Sequence, residues 1–347
     1  MASSKTRLTE LGTAVGLTYD PGAPFPASIA EADVPGLATD VWRPTVLAAA
    51  EAGGSQRDLL LRALDNGRAF RQEVLGGRRP GHVEWSGGGR QTWTSDVPRD
   101  LTVDGVWFIQ AKFDSTCVLN TSPAALVDSL LADDGVATRR SWYEEVALDE
   151  LADYYARVRQ RVAAHHQGAL AGHDGLPDDV RDLTADDRRA IKAGIRASEP
   201  DAAEDEAYQR LSRAVSVETA LRWAHRLRAS TGAQRTQLLF RMLRIAGGPY
   251  WVLGTKGAAP VRLAVVDTRT WRDRFELRHL EVRPARVGQP QVDWEAEVRH
   301  RDDGTTRRVE GCCEIRWSHG KLSGNPECKV QVHTPMADLP GYLPLAR

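Results

Sequence analysis

The sequence contains no run of about 18 apolar residues, and Met1 to Gly12 lacks the apolar stretch of a secretory signal. A cytoplasmic chain with no membrane partner is expected. Cysteine is scarce, and Cys117, Cys312, Cys313 and Cys328 are too unevenly placed along 347 residues to build a disulfide framework. Reduced thiols follow. A basic surplus is missing as well: 46 Lys and Arg stand against 47 Asp and Glu, a formal net charge of −1. The chain as a whole is not a polycation, although arginine supplies nearly all the positive charge and contact with a few phosphates needs only a local patch. There is no phosphate loop of the GxxxxGKS/T kind, no nucleophile elbow, no internal repeat and no low-complexity tract.

What is present is ordinary globular material. Hydrophobic residues make up 41% and charged residues 27% of the chain, enough for a packed core. The length points to two folded units, or to one domain with a large insertion.

Residues 1–45 carry Pro21, Pro24, Pro26 and Pro35 and read as an irregular arm. From Gln56 to Leu75 the apolar residues follow helical spacing, and Asn66-Gly67 either kinks that helix or splits it. Short strands follow around Val83 to Trp85, Gln91 to Thr94, Leu101 to Val103 and Val106 to Phe113. Gly87-Gly-Gly89 marks a turn among them. Ser122-Pro123 then signals a helix start, and amphipathic stretches near 146–166, 204–229 and 233–246 make the middle of the chain a helical block, with Gly172 to Asp187 and Ala197 to Asp205 as loops. After Gly247-Gly248 strand patterns return at Tyr250 to Leu253, Val261 to Val266, Phe275 to Val282, Val292 to Arg299, Arg307 to Trp317 and Lys329 to His333. Asp303-Gly304 and His319-Gly320 are the hairpin turns among the last of these.

Chemistry concentrates between Asp100 and Lys112. Strands on either side of Asp104-Gly105 form a hairpin whose polar residues lie far from the turn. A two-residue loop would set Asp100 opposite Ile109 and away from Gln110, whereas a three-residue loop, Val103-Asp104-Gly105, would set it opposite Phe108. Asp100, Gln110 and Lys112 then share a face. A carboxylate and an amide oxygen suit a hard divalent cation, and an ammonium two residues further on can orient water or neutralise charge on a phosphate.

This arrangement resembles the PD-(D/E)xK nuclease superfamily, in which a helix bearing a Glu precedes an Asp strand and a (D/E/Q)xK strand. Gly67 to Leu75 stands in for the helix with Glu73 as its acid, Asp100 for the metal Asp, and Gln110-Ala111-Lys112 for the signature in its Q-x-K variant. The resemblance covers about 50 residues. It implies an α/β, restriction-endonuclease-like core formed by residues 46–125 and 231–268, with a large helical insertion at 126–230 and a β-rich C-terminal region at 269–347. It also implies Mg²⁺ or Mn²⁺ bound by Asp100, Gln110 and Glu73, catalysis by these residues with Lys112, and hydrolysis of phosphodiester bonds, with DNA the favoured substrate and RNA left open, in restriction or antiviral defence. Monomer and homo-oligomer are both left open.

Other readings stand beside this one. Glu73 and Asp100 also suit surface charges or caps, Lys112 a strand-edge lysine and Asp104 a turn residue. A non-catalytic binding or assembly protein is the alternative function. Glu314, followed by Glu327-Cys-Lys329, repeats the signature spacing, but the remaining residues include Pro335, Pro340 and Pro344 and supply no following helix. Cys312, Cys313, His319, Cys328 and His333 resemble zinc ligands only in composition, because adjacent cysteines on a strand point to opposite faces. His165-His166 reads as a helix-end pair.

Overall fold

Leu8, Leu11 and Val15 recur at three- and four-residue steps, and in the computed structural model they lie on α1 (Ser4–Gly16). The structure describes residues 4–19, 25, 29, 32–87, 97–128, 141–165, 175–285 and 288–345. The expected irregular arm is therefore corrected: its first third is a helix, buried continuously from Leu8 to Gly16. The prolines at 21, 24 and 26 come after it and so do not interrupt it. Its polar positions are satisfied locally, with Thr9 Oγ1 donating to the Lys5 carbonyl at 2.9 Å and Thr13 Oγ1 to the Thr9 carbonyl at 2.8 Å.

Two further helices, α2 (Thr39–Ala52) and α3 (Gly54–Glu73), pack with α1. Asn66-Gly67 neither kinks nor splits α3, because both residues are needed inside it. A Cβ on Gly67 would come within 2.2 Å of the Thr13 carbonyl oxygen, and one on Gly16 within 2.2 Å of the Leu64 oxygen. The two helix backbones touch. Asn66 is fully buried and uses both ends of its amide: Nδ2 donates to the Gly254 carbonyl at 2.9 Å, and Oδ1 accepts from Arg262 Nε at 2.9 Å.

These helices cover a six-stranded sheet of order β1-β2-β3-β5-β6-β11. Its strands are β1 (Val83–Trp85), β2 (Leu101–Val103), β3 (Trp107–Phe113), β5 (Tyr250–Lys256), β6 (Ala259–Val265) and β11 (Tyr342–Pro344). The pairs are antiparallel except for β3 with β5, which run parallel with Gln110 beside Val252 and Lys112 beside Gly254. The strand from Tyr250 thus joins the sheet of the Asp–Lys hairpin, as expected. Ile109, Trp251 and Leu253 face the helices in a core that includes Leu11, Leu60 and Phe70. The alternate residues Tyr250 and Val252 are buried on the opposite side. α10 (Thr268–Arg274) belongs to this same unit, its Trp271 Nε1 donating to the Pro340 carbonyl at 3.0 Å.

The chain divides into two compact units, the first made of residues 1–116, 244–275 and 335–347 and the second of 117–243 and 276–334. Helical block and C-terminal strands therefore form one unit, where two had been expected. Its five-stranded sheet has the order β4-β10-β9-β8-β7, comprising β4 (Cys117–Thr121), β7 (Phe275–Pro284), β8 (Gln291–His300), β9 (Thr306–Trp317) and β10 (Pro326–Val332). Its helices are α4 (Pro123–Val127), α5 (Trp142–Val146), α6 (Leu148–His165), α7 (Ala185–Ala197), α8 (Ala202–Ala229) and α9 (Gly232–Leu243). Tyr143 joins helix to sheet by donating to the Ile315 carbonyl at 3.1 Å and stacking on Trp317 at 4.3 Å. The helix near 233–246 was expected to complete the nuclease core. It lies instead in the second unit, where Arg241 of α9 donates to the Ala125 carbonyl at 2.6 Å.

The hairpin turns at Gly304 and Gly320 fall where expected, both with positive φ. Gln91 to Thr94, Gly88-Gly89 and His166 lie outside the described residues. Among the described residues no helix is long and apolar enough to cross a membrane.

The α1–α3 contact yields a prediction whose sign differs from helix propensity. In an isolated helix Gly67→Ala would gain about 1 kcal/mol. Here it should cost about 1 to 3 kcal/mol, because the added methyl meets a backbone oxygen. Asn66→Ala should cost about as much by leaving the Gly254 carbonyl and Arg262 without their partner. Urea unfolding followed by far-UV circular dichroism reads both, and a stabilised Gly67→Ala would contradict the contact.

Candidate active site

The β2–β3 hairpin has a three-residue loop, but its residues are Asp104, Gly105 and Val106, so that Val103 pairs with Trp107 and Leu101 with Ile109. Asp104 and Gly105 both take positive φ, 51° and 72°. The Asp104 carboxylate is a turn anchor, accepting from the Gly81 and His82 amides at 2.7 and 3.0 Å and from Arg78 at 2.9 Å. Compared with the expected register, the hairpin is shifted by two residues and its parity is kept. Asp100 lies just beyond these pairs, past Ile109 rather than opposite Phe108.

Just ahead of β2, Asp100 is fixed against β3 at two points. Its amide donates to the Ile109 carbonyl at 2.7 Å, and its Oδ2 accepts from the Ala111 amide at 2.7 Å. The carboxylate is thus tied to the residue between Gln110 and Lys112. Burial raises Asp100 above the ordinary carboxylate range, opposed by the Ala111 hydrogen bond and by the charges of Lys112 and Arg244. Gln110 and Lys112 are both partly buried and, two positions apart, project from the same face of β3.

The acid that meets Asp100 comes from α1. Glu10 is 3% exposed, and its Oε2 accepts from Trp85 Nε1 at 2.7 Å. Burial and the neighbouring Asp100 carboxylate push Glu10 up to about 7, against the Trp85 hydrogen bond and the Arg7 charge. Glu73, the expected helix acid, is the last residue of α3 and its side chain is exposed. Sequence reasoning missed Glu10 because it lay within the stretch read as an arm. The spacing of Leu8, Leu11 and Val15 was the signal for a helix there, and a Glu inside that buried run was the signal for a functional acid.

Asp100 therefore has the Glu10 carboxylate, which lies with Trp85 and Arg7 on the helix side of the sheet, and the cations Lys112 and Arg244 within electrostatic reach, whereas Gln110 projects from the face of β3 opposite to Ile109 and α1. Among the described residues no group of three or more His, Cys, Asp and Glu side chains is placed to hold a metal. A cation at the two carboxylates would rest on Glu10, Asp100 and water, a donor set of hard oxygens.

The second signature does not assemble in this way. Glu314 and Lys329 are directly paired across β9 and β10, while the Glu327 carboxylate accepts from Asn120 Nδ2 at 3.0 Å and that of Glu314 from Gln331 Nε2 at 3.1 Å. Cys312, Cys313 and Cys328 are buried free thiols. Burial pushes Cys312 up to about 12 and raises Cys313 as well, so both are packing thiols rather than thiolates. Comparison with models of protein families, with curated proteins and with solved structures gave no match.

Glu10 sets a pH dependence. Its folded pKa lies above the unfolded value, so the folded state holds a proton that the unfolded state has released between about pH 4.5 and 7. Stability is then lost as pH rises through that window, and the loss is complete above it. Glu10→Gln keeps an acceptor for Trp85 and removes the charge. The variant should match the parent near pH 4.5 and exceed it at pH 8 by an amount on the order of 3 kcal/mol. Urea midpoints across that range check this, and a difference independent of pH would show that Glu10 is not held protonated.

Proposed function

We propose that this chain is a metal-dependent endonuclease that hydrolyses phosphodiester bonds in DNA, with a restriction-endonuclease-like site of the PD-(D/E)xK kind in its Q-x-K variant. The observation that carries the reading is the Asp100 carboxylate fastened to the Ala111 amide, between Gln110 and Lys112 and next to the buried Glu10. The mixed sheet supports it, since the lysine strand is met in parallel by a strand from far along the chain. In this reading Glu10 takes the role of the helix acid in place of Glu73.

The residues fit a small hard cation. Two adjacent carboxylates with raised pKa values repel one another once ionised, and a dication in contact with both removes that repulsion. Mg²⁺ or Mn²⁺ held by Asp100 and Glu10 would supply Lewis-acid charge at the phosphate.

The chain's own groups do the remainder. Water adds to phosphorus, the bond from phosphorus to the leaving oxygen breaks, and the water's proton passes to solvent while the leaving oxygen takes one up. The Lys112 ammonium orients that water or neutralises charge growing on the phosphate. Arg7 adds positive charge beside a pair of carboxylates that would otherwise repel a polyanion. Restriction or antiviral defence is the setting such an enzyme would serve.

Purified protein should nick plasmid DNA with Mg²⁺ or Mn²⁺ and stop with EDTA. Lys112→Ala should lower the rate about 100- to 1,000-fold, the range for loss of a pre-organised electrostatic contact. Asp100→Asn and Glu10→Gln should abolish cleavage, whereas Glu73→Gln should leave it near the parent rate. Unaltered cleavage in folded Lys112→Ala and Asp100→Asn would place the activity elsewhere, and no cleavage by the parent protein would favour the binding or assembly alternative.

A further inference from the structure

Arg244 opens the segment that returns the chain to the first unit, immediately after α9. It takes φ 57°, one of four non-glycine residues with positive φ among those described. This left-handed backbone favours Gly or Asn, and a long side chain kept there signals a use for that side chain. The backbone is held from behind: Tyr250 is fully buried, and its hydroxyl donates to the Arg244 carbonyl at 3.0 Å while lying 3.4 Å from the Tyr342 hydroxyl. Tyr250 belongs to the face of β5 that continues the Gln110 and Lys112 face of β3, because Gln110 pairs with Val252.

Among the described residues the guanidinium has no charged partner, a condition it shares with Arg43, Arg62 and Arg71, whose Nε atoms are likewise buried without a hydrogen-bond partner, and which sets it apart from the ion-paired arginines. Arg161 is paired with Glu204, Arg222 with Asp128 and Glu145, and Arg262 with Asp65. Among the described residues no ion pair engages Arg244, and its buried Nε has no hydrogen-bond partner. Its charge nevertheless reaches Asp100. The segment thus delivers a cation with unused donors to the site that holds Asp100 and Lys112.

We propose that Arg244 is the phosphate-binding residue of this site, engaging the non-bridging oxygens of the nucleic-acid backbone beside Asp100, an assignment that rests on the nuclease reading. A guanidinium with free N–H groups matches a phosphate's paired oxygens. The strained backbone and the Tyr250 hydroxyl fix where its side chain starts.

Arg244→Asn and Arg244→Lys in the full chain test this. Asn suits a left-handed backbone. If Arg244 serves substrate rather than the fold, Arg244→Asn should melt at or above the parent temperature yet lose roughly ten- to a hundredfold in kcat/KM for a labelled DNA duplex. In EDTA, anisotropy titrations of the same duplex should show weaker binding, with the slope of log Kd against log salt reduced by about one contact. Arg244→Lys should restore the salt slope and only part of the rate, because it keeps the charge without the paired donors. Parent-like cleavage, affinity and salt slope in Arg244→Asn would overturn the proposal, as would a lower melting temperature restored by Lys. Failure of the nuclease reading is distinguishable: a parent that does not cleave but binds duplex through Arg244 retains the phosphate contact, whereas a cleaving parent indifferent to Arg244→Asn loses only this assignment.

Discussion

The pairing of β3 with β5 is the constraint on which the first unit depends. Neighbouring parallel strands cannot be joined by a tight turn, so the chain must make an excursion between Phe113 and Tyr250, and here that excursion contains most of a second folded unit. A long connection adds little closure cost if it folds on its own, since the entropy of closing a loop grows only with the logarithm of its length. The pairing is reinforced by Asn66 of α3, which reaches the Gly254 carbonyl and Arg262, and Arg262 in turn pairs with Asp65. Helix, β5 and β6 are thereby held in one register, and that register sets Arg244 and Tyr250 beside the Gln110 face.

Local conflicts collect at one place within this unit. Glu10 is a buried carboxylate with a carboxylate neighbour, Asp100 is held by an amide that favours its charged form while burial opposes it, and Arg244 occupies a backbone region suited to glycine. Each costs stability in isolation. Buried Arg161, by contrast, is matched by Glu204. A dication between the carboxylates would relieve their mutual repulsion.

Much of the framework was legible in the sequence because alternation and helical spacing speak directly through side chains. The strands from Tyr250 onward, the Ser122 cap and the hairpin that brings Asp100 against the Gln110-Ala111-Lys112 strand all emerged that way. The turn was misplaced by one residue at each end, since Asp104-Gly105 specifies positive φ but not which neighbour completes the loop. Asn66-Gly67 misled because propensity describes an isolated helix, whereas Gly67 is required by the backbone of α1. Glu10 was hidden by its surroundings: a helix buried nearly all round has little amphipathic contrast, and the prolines that follow it dominated the reading. Unit boundaries were unreadable for a related reason, because β4 and β10 are neighbours only in space.

Mn²⁺ binding with its coupled proton release tests the central claim most directly, by isothermal titration near pH 6.5 in buffers of different ionisation enthalpy. Glu10, pushed up to about 7 by burial and the Asp100 carboxylate, holds a proton in the metal-free protein, so binding should release it, and the heat should vary with the buffer. Both the binding and the proton release should disappear in Asp100→Asn and fall sharply in Glu10→Gln. Binding of equal affinity in the parent and in both variants, or no binding at all, would contradict a metal-dependent site built on these two carboxylates.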